Sequence, residues 1–249
     1  MNHKIICHRG IDRIDENTYK SITSVISLYN TKTVTFGVEF DIQITKDNNI
    51  ICYHDDTLLR LHGCDKRVCD ITIDEIEKYN LPYFNDVMAK LSLNKNVIVD
   101  VEIKFYQPMH IDKIKLLCKK SINICKINNA LDQCIFTSFD DNIIHELVFV
   151  DKFIKIGKII GNDYNLLDFV QLKKLQINIL ILDKNMLIET LNEHADLLNN
   201  VELYIYTLFN IKSNEESDIQ LDIEIINKIK NKNIGLITDD YQKTLQFIK

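Results

Sequence analysis

Charged residues alternate with apolar ones in two segments of the chain. In GVEFDIQIT, Glu39 and Asp41 are two residues apart, and VIVDVEIKF carries Asp100, Glu102 and Lys104 at the same spacing. Side chains two apart on a β-strand point to the same face and lie roughly 6 to 7 Å apart. If the two segments are neighbouring strands, each contributes a row of charged side chains to one face of the sheet.

A buried row of carboxylates calls for a cation. Such groups lose their hydration and repel one another unless a positive charge lies among them. Glu39, Asp41 and Glu102 offer hard oxygen ligands, and no imidazole or thiolate set accompanies them, which favours Mg²⁺ or Ca²⁺ over zinc. The alternative is an antiparallel sheet with one solvated face, where alternating charge requires no ligand.

Two histidines stand where apolar runs end. His8 is followed by Arg9 at the end of the first run, and His54 is followed by Asp55 after a short later run. One such histidine is more often a surface or packed residue. Two of them, combined with Arg9, Lys104 and the carboxylates, suit a phosphate ester. The cations would hold the phosphate, and the imidazoles would move protons to and from oxygen.

Three further residues are secondary site candidates: Glu16, Asn17 and Tyr206. Asn17 or its neighbour Thr18 precedes a helical segment and suits an N-cap, although a helix amino terminus can also receive an anion. Tyr206 shares one strand face with Tyr204. That pair would either line a pocket or pack in the core.

Short β-branched runs alternate with segments of helical period along the chain. Strands are predicted at 4–7, 36–44, 97–104, 134–138, 153–159, 178–182, 201–207 and 233–238. Helices are predicted at 19–28, 84–91, 111–125, 142–148, 166–175, 186–198, 223–229 and 241–247. Eight strands alternating with eight helices predict an α/β fold of the (β/α)₈ barrel type, the alternative being a doubly wound open sheet.

A short insertion separates the second strand from its helix. It covers residues 47–82 and contains an extra strand at 50–53, which forms a hairpin turned at Asp47, Asn48 and Asn49. An insertion at this place would lie over the carboxyl end of the barrel. Neither a linker nor a repeat marks a second domain, so residues 1–249 are predicted to form one domain.

Composition restricts the class of protein. The net charge is −6 with both signs interspersed, which argues against nucleic acid or an anionic membrane as a partner. No apolar run has the length of a signal peptide or a membrane span, so we expect a cytoplasmic protein without stable membrane insertion. Seven scattered cysteines without CxxC spacing predict reduced thiols.

Several motifs in order resemble the glycerophosphodiester phosphodiesterase family. They are HRG at 8–10, ENT at 16–18, EFDIQITKDNNIICYHDDTLLRLHG at 39–63, VEIK at 101–104 and GLITDD at 235–240. The resemblance implies a TIM barrel and divalent-metal-dependent hydrolysis of glycerophosphodiesters to glycerol 3-phosphate and an alcohol. It also implies a catalytic pair, three metal carboxylates and two phosphate-side cations. The catalytic pair would be His8 and His54. The metal carboxylates would be Glu39, Asp41 and Glu102, and the phosphate-side cations would be Arg9 and Lys104.

The chain departs from the family pattern at three places. Asp15 and Tyr241 stand where prolines are usual, and the Trp-Thr-x-Asn signature appears as YTLFN at 206–210, which bears on substrate preference. The attacking oxygen belongs either to water or to the substrate's own neighbouring hydroxyl.

Rival functions share the same site plan. The nearest is a lysophospholipase D or cyclising phospholipase-like enzyme that acts on a lipid phosphodiester, with an apolar groove around Leu58, Leu59 and Leu61. The other is a non-catalytic phosphate-binding module, which the complete set of polar residues disfavours.

Overall fold

The barrel is formed by strands from the whole length of the chain. A computed structural model describes residues 2–12, 14–107, 110–161, 174–175, 177–210 and 215–248. The strands within these ranges are β1 His3–His8, β2 Val34–Ile44, β3 Ile50–Cys52, β4 Ile98–Ile103, β5 Cys134–Ser138, β6 Lys155–Ile160, β7 Ile179–Asp183, β8 Glu202–Leu208 and β9 Ile234–Thr238.

All of these strands except β3 pair in parallel with two neighbours each. The order runs β1, β2, β4, β5, β6, β7, β8, β9 and returns to β1. Because β1 pairs with both β2 and β9, the sheet is closed, and the predicted TIM barrel is confirmed. An open doubly wound sheet and an antiparallel sheet with one wet face are both excluded.

The helices alternate with the strands. Those in the described residues are α1 Tyr19–Thr23, α2 Leu59–His62, α3 Ile73–Lys78, α4 Phe84–Leu91, α5 Ile111–Ile127, α6 Asp141–Val150, α7 Leu187–Glu193, α8 Glu216–Ile229 and α9 Tyr241–Ile248. Among them, no helix has the length and apolar character needed to cross a membrane.

The predicted helices differ from these mainly at their ends. The prediction at 19–28 is divided into α1 and a 3₁₀ turn, and the prediction at 186–198 becomes α7 with 3₁₀ turns on both sides. Helix α8 begins at Glu216, before the predicted start at residue 223. The prediction missed its first turns because they are polar and carry no apolar period. The prediction at 166–175 lies largely outside the described residues.

Each barrel strand has one face toward the helices and one toward the barrel interior. Phe40 on β2 packs outward against Phe84 of α4, with ring centroids 6.1 Å apart. Ile6 and Ile237 belong to a separate buried cluster of inward-facing residues. Since successive side chains on a strand alternate between faces, the charged residues beside Phe40 on β2 must point into the barrel.

The insertion between β2 and α4 has a small core of its own. The predicted hairpin is confirmed: β3 pairs antiparallel with the end of β2, Gln43 facing Ile51, and Asn48 adopts φ 68° in the turn. Lys113 of α5 fastens this turn by donating to the Asn48 Oδ1 atom (2.6 Å) and to two backbone carbonyls. A separate buried cluster within the insertion includes Leu58, Val68, Ile71, Ile76 and Leu81. This core holds the chain that follows β3 over the carboxyl end of the barrel.

Candidate active site

Strand register brings the predicted site residues together. On β1 and β2, His8 pairs with Glu39, and on β2 and β4, Asp41 pairs with Glu102. Lys104 directly follows β4. Three adjacent strands therefore place their polar ends along one side of the barrel mouth, where barrels of this type keep their reactive groups.

Three carboxylates form a buried cluster. Glu39, Asp41 and Glu102 each present an oxygen within 4.8 Å of the others, and all three residues are buried. Burial raises the pKa of Glu39 well above its ordinary value, and the neighbouring carboxylates add to this. Burial likewise raises the pKa of Glu102 to about 7, although Lys104 opposes the shift. Burial and mutual repulsion thus disfavour the charged forms of Glu39 and Glu102.

Asp41 behaves differently from its two neighbours. Burial alone would raise the pKa of Asp41, but Lys104, His54 and Arg9 outweigh that effect and hold it well below its ordinary value. Lys104 Nζ lies 3.1 Å from Asp41 Oδ1 and also donates to Glu102 Oε1. Asp41 is therefore the most readily ionised carboxylate of the cluster.

The cluster fits a hard divalent cation. Its donors are all carboxylate oxygens, the type that Mg²⁺ and Ca²⁺ prefer. Glu39 Oε1 is buried and accepts no hydrogen bond from the described residues, whereas Glu39 Oε2 accepts one from the backbone N–H of Arg9 at 2.9 Å. A buried acceptor without a donor is costly, and a cation among the three residues would satisfy it.

Each of the two histidines is held by an aspartate. His8 Nδ1 lies 2.6 Å from Asp239 Oδ1, and His54 Nδ1 lies 2.7 Å from Asp55 Oδ1. The aspartates place a proton on Nδ1, so in the neutral ring Nε2 is the nitrogen that carries the lone pair. His8 Nε2 also lies 3.8 Å from Glu39 Oε2.

The environments of the two rings differ. Burial lowers the pKa of His54, and Lys104 and Arg9 lower it further against the opposing effect of Asp41. His8, by contrast, is contacted by two acidic side chains, Asp239 at 2.6 Å and Glu39 at 3.8 Å. The two rings therefore differ in their surroundings: burial and nearby cations lower the pKa of His54, whereas acidic groups surround His8.

Arg9 is directed into the site by an unusual turn. Its backbone has φ 57°, and Gly10 after it has φ 106°. A Cβ at Gly10 would lie 2.2 Å from Ser21 Oγ, so the turn requires glycine. The Arg9 guanidinium is buried, with Nη1 3.2 Å from Glu16 Oε1 and Nε 3.4 Å from Asp41 Oδ2.

A cavity of about 190 Å³ opens between these groups and an apolar wall. The polar side is lined by His8, Arg9, Glu39, His54, Asp100, Glu102 and Lys104. The opposite wall includes Phe139, Ile159, Ile181 and Tyr206. The Tyr206 hydroxyl donates to the carbonyl of Ile160 at 3.2 Å, so its ring forms the wall. Tyr204, by contrast, is buried in the barrel interior and donates to Glu202 Oε1.

Two of the secondary candidates, Asn17 and Glu16, bind side chains of the site, which the sequence alone did not indicate. Asn17 Nδ2 donates to Asp41 Oδ2 at 2.8 Å and Asn17 Oδ1 accepts from the Asp41 backbone N–H, so Asn17 orients a carboxylate of the cluster. The cap of α1 is Thr18, which accepts from the Ser21 N–H. Glu16 is the counter-ion of Arg9.

Three residues at the site were not predicted from the sequence. Asp239 follows β9 in the GLITDD motif, and Asp100 lies in the same alternation as Glu102. Burial raises the pKa of Asp100 to about 8, and Thr137 Oγ1 donates to it at 2.7 Å. The third is Arg60, which contacts both Glu16 and Asp55. The motif position of Asp239 and the spacing of Asp100 were the available signals.

Comparison with known proteins agrees with this geometry. The model of the "Glycerophosphoryl diester phosphodiesterase family" matches residues 8–243. A glycerophosphodiester phosphodiesterase of Caldanaerobacter subterraneus subsp. tengcongensis is 25% identical over 171 residues, which cover 63% of this chain and 66% of that protein. The chain therefore spans slightly under two thirds of this relative.

Solved structures share the fold. A glycerophosphodiester phosphodiesterase from Parabacteroides distasonis superposes with a TM-score of 0.78 at 17% identity, covering 99% of this chain and 97% of that chain. An Oleispira antarctica phosphodiesterase in complex with the product sn-glycerol-3-phosphate gives 0.77 at 17% identity, covering 98% and 96%. Because the family model matches from residue 8 to residue 243, the chain belongs to the glycerophosphoryl diester phosphodiesterase family.

Proposed function

We propose that this protein hydrolyses glycerophosphodiesters to glycerol 3-phosphate and an alcohol, with the help of a divalent cation and two histidines. The observation that carries the proposal is the pair His8 and His54, each with Nδ1 bound to a carboxylate, beside the buried carboxylate cluster. Family membership supports it, as does the product held by the Oleispira antarctica structure.

Glu39, Asp41 and Glu102 would hold the cation, Mg²⁺ or Ca²⁺. When bound, it would polarise a phosphoryl oxygen and offset the charge that develops on the phosphate. Asn17 keeps Asp41 oriented for this purpose through two hydrogen bonds. Lys104 neutralises part of the cluster, since its Nζ contacts both Asp41 and Glu102.

The two histidines divide the proton transfers. His54, whose pKa is lowered chiefly by burial, is the neutral imidazole and takes the proton from the attacking oxygen. His8, whose Nδ1 is held by Asp239, gives a proton to the departing alcohol oxygen. Such positioned proton transfer contributes roughly 10² to 10⁴ in rate.

Arg9 and Lys104 supply positive charge on the phosphate side. Both are largely buried, and in a site that excludes water such charges act strongly on a developing anion. Arg9 also fixes Glu39 through its backbone N–H. The turn at Gly10 therefore fixes the position of Glu39, which would bind the cation, relative to Arg9, which would bind the phosphate.

The proposed function is tested by turnover of glycerophosphocholine followed by phosphorus NMR. Glycerol phosphate should be released with Mg²⁺ or Ca²⁺ present, and EDTA should abolish the release until metal is restored. Full turnover in metal-free buffer would contradict the cation site. Glu39→Gln should lose activity, while Glu77→Gln, an exposed glutamate in the insertion, should behave as the wild type. A cyclic phosphate in the spectra would identify attack by the substrate hydroxyl.

The lipid-directed alternatives are less favoured by the described residues. The apolar groove that they require was expected around Leu58, Leu59 and Leu61; Leu58 is fully buried in the core of the insertion, whereas Leu59 and Leu61 are exposed. None of the three lines the cavity beside the histidines. Turnover of lysolipid without turnover of glycerophosphocholine would favour the lipid-directed enzyme instead. Metal-dependent binding of phosphodiesters without turnover would favour the non-catalytic phosphate-binding module.

A further inference from the structure

Arg60 joins two carboxylates from distant parts of the chain. It lies on α2 of the insertion, and its Nε donates to Asp55 Oδ2 at 2.5 Å. Its Nη2 donates to Asp55 Oδ1 at 3.0 Å and also to Glu16 Oε1. Glu16 belongs to the loop after β1, so a single guanidinium connects the insertion to the first barrel loop.

Both carboxylates also contact the reactive machinery. Asp55 Oδ1 accepts from Arg60 and lies 2.7 Å from His54 Nδ1, and Glu16 Oε1 accepts from Arg60 and from Arg9 Nη1. A continuous chain of charged contacts therefore runs His54, Asp55, Arg60, Glu16, Arg9. It connects the proposed general base to a proposed phosphate ligand.

We propose that Arg60 is a positioning residue for phosphodiester hydrolysis. It holds two carboxylates in a fixed relative position: Asp55, which orients His54, and Glu16, which orients Arg9. This inference rests on the proposed function. Arg60 does not line the cavity between the histidines and the apolar wall, so it acts through its two partners.

The geometry requires an arginine. The planar guanidinium makes two bonds to one carboxylate and still has a donor for a second, which the compact ammonium of lysine does not reproduce. Glu16 is only 6% exposed, so its charge needs a fixed partner, whereas Arg60 is 39% exposed. Burial raises the pKa of Asp55, but hydrogen bonds from Arg60 and His54 outweigh this and keep the carboxylate ionised.

The experiment compares Arg60→Met with Lys66→Met. Lys66 lies in the same insertion, is 40% exposed and pairs with Glu75, away from the site. With glycerophosphocholine and saturating metal, Arg60→Met should lower kcat about 10- to 100-fold with little change in KM, since small misplacements of a reacting group are costly. Lys66→Met should keep both constants. An unchanged kcat in Arg60→Met, or a change in KM alone, would overturn the inference.

A double variant separates positioning from a general loss of structure. If Arg60 acts through Asp55, then Asp55→Asn should reduce kcat less in the Arg60→Met background than in the wild type. Fully multiplicative losses would contradict this. Arg60→Lys keeps the charge and should have a kcat between those of the wild type and Arg60→Met. If Arg60→Met does not fold, Arg60→Lys takes its place in the kinetic comparison.

A readout without turnover distinguishes failure of this inference from failure of the proposed function. Two-bond ¹H–¹⁵N spectra of histidine-labelled protein report which ring nitrogen carries the proton. His54, assigned with His54→Gln, should show the Nδ1-protonated form in the wild type and in Lys66→Met, and a changed distribution in Arg60→Met. Identical His54 resonances in Arg60→Met would overturn the positioning role even if no diester were hydrolysed.

Discussion

His8 and Asp239 lie at opposite ends of the chain, yet His8 Nδ1 and Asp239 Oδ1 are 2.6 Å apart. The pair exists because the barrel closes: β1 pairs with β9, with Cys7 opposite Thr238, and the residue after each of these enters the mouth. The Asp239 side chain is 1% exposed. A buried carboxylate on an imidazole fixes both the tautomer and the orientation of the ring.

Asp239→Asn should therefore reduce kcat strongly while the barrel stays folded. An amide has a similar shape but no negative charge, so it stabilises less well the doubly protonated ring from which His8 gives its proton. In a comparable carboxylate–histidine pair this change lowers kcat by roughly 10⁴, and we expect a loss of at least about 10² here. Steady-state kinetics measure it. Asp240→Asn is the matched control, because Asp240 caps α9 through the Lys243 N–H. Equal rates for the two variants would remove Asp239 from the mechanism.

The assignment of His8 as acid and His54 as base predicts different responses to the leaving group. A p-nitrophenyl ester of glycerol phosphate releases an alcohol that requires little protonation. His8→Ala should therefore recover much of its lost activity on this substrate, and His54→Ala should not. The ratio of kcat for p-nitrophenol and for choline release measures the effect. If His54→Ala rather than His8→Ala recovered activity on this substrate, His54 would be the acid and His8 the base.

The part of the site that follows local rules was predictable from the sequence. Alternation on β2 and β4 placed Glu39, Asp41 and Glu102 on one face, and the ends of apolar runs located His8 and His54. These inferences need only the period of a strand and the position of reactive groups in a barrel.

The remaining parts depend on contacts between distant segments. Asp239 reaches His8 only through barrel closure, and Arg60 meets Glu16 only because the insertion folds over the first loop. Asn17 precedes a helix and has the type of residue that caps one. Its backbone, however, adopts φ 56°, and its amide binds Asp41 instead. Such choices are decided by tertiary structure, which spacing does not report.

The phenol of Tyr206 should contribute its ring rather than its hydroxyl. That hydroxyl is engaged by the Ile160 carbonyl, and the ring packs edge-on against Phe139 at 6.0 Å. Tyr206→Phe should keep kcat and KM within about threefold and lower stability by about 1 kcal/mol, the usual value of one hydrogen bond. Tyr206→Ala should raise KM by removing the wall. A tenfold loss of kcat in Tyr206→Phe, from about 1.4 kcal/mol of lost transition-state binding, would show that the hydroxyl contacts substrate.

The carboxylate cluster should make the stability of the metal-free protein fall as pH rises. Burial raises the pKa of Glu102 from 4.5 to about 7 and that of Asp100 from 3.8 to about 8, and raises that of Glu39. A carboxyl whose folded pKa is raised binds more protons in the folded state. Its contribution is therefore complete below the ordinary pKa and is lost as pH rises through the folded value. Asp41, with a lowered pKa, adds a constant contribution across this range, and the lowered pKa of His54 acts in the opposite direction.

Thermal melts with EDTA should accordingly show a lower Tm at about pH 8 than at about pH 5, where the raised carboxyls are still protonated. Mg²⁺ or Ca²⁺ should raise Tm more at the higher pH, because the ligands must be deprotonated to bind; a hundredfold excess over Kd stabilises by about 2.7 kcal/mol. Glu102→Gln removes one raised group, so both the fall with pH and the metal effect should shrink. Glu77→Gln, at an exposed residue of α3 outside the cluster, should match the wild type. A metal effect on Tm that is equal at both pH values would mean that the cation binds elsewhere than among Glu39, Asp41 and Glu102.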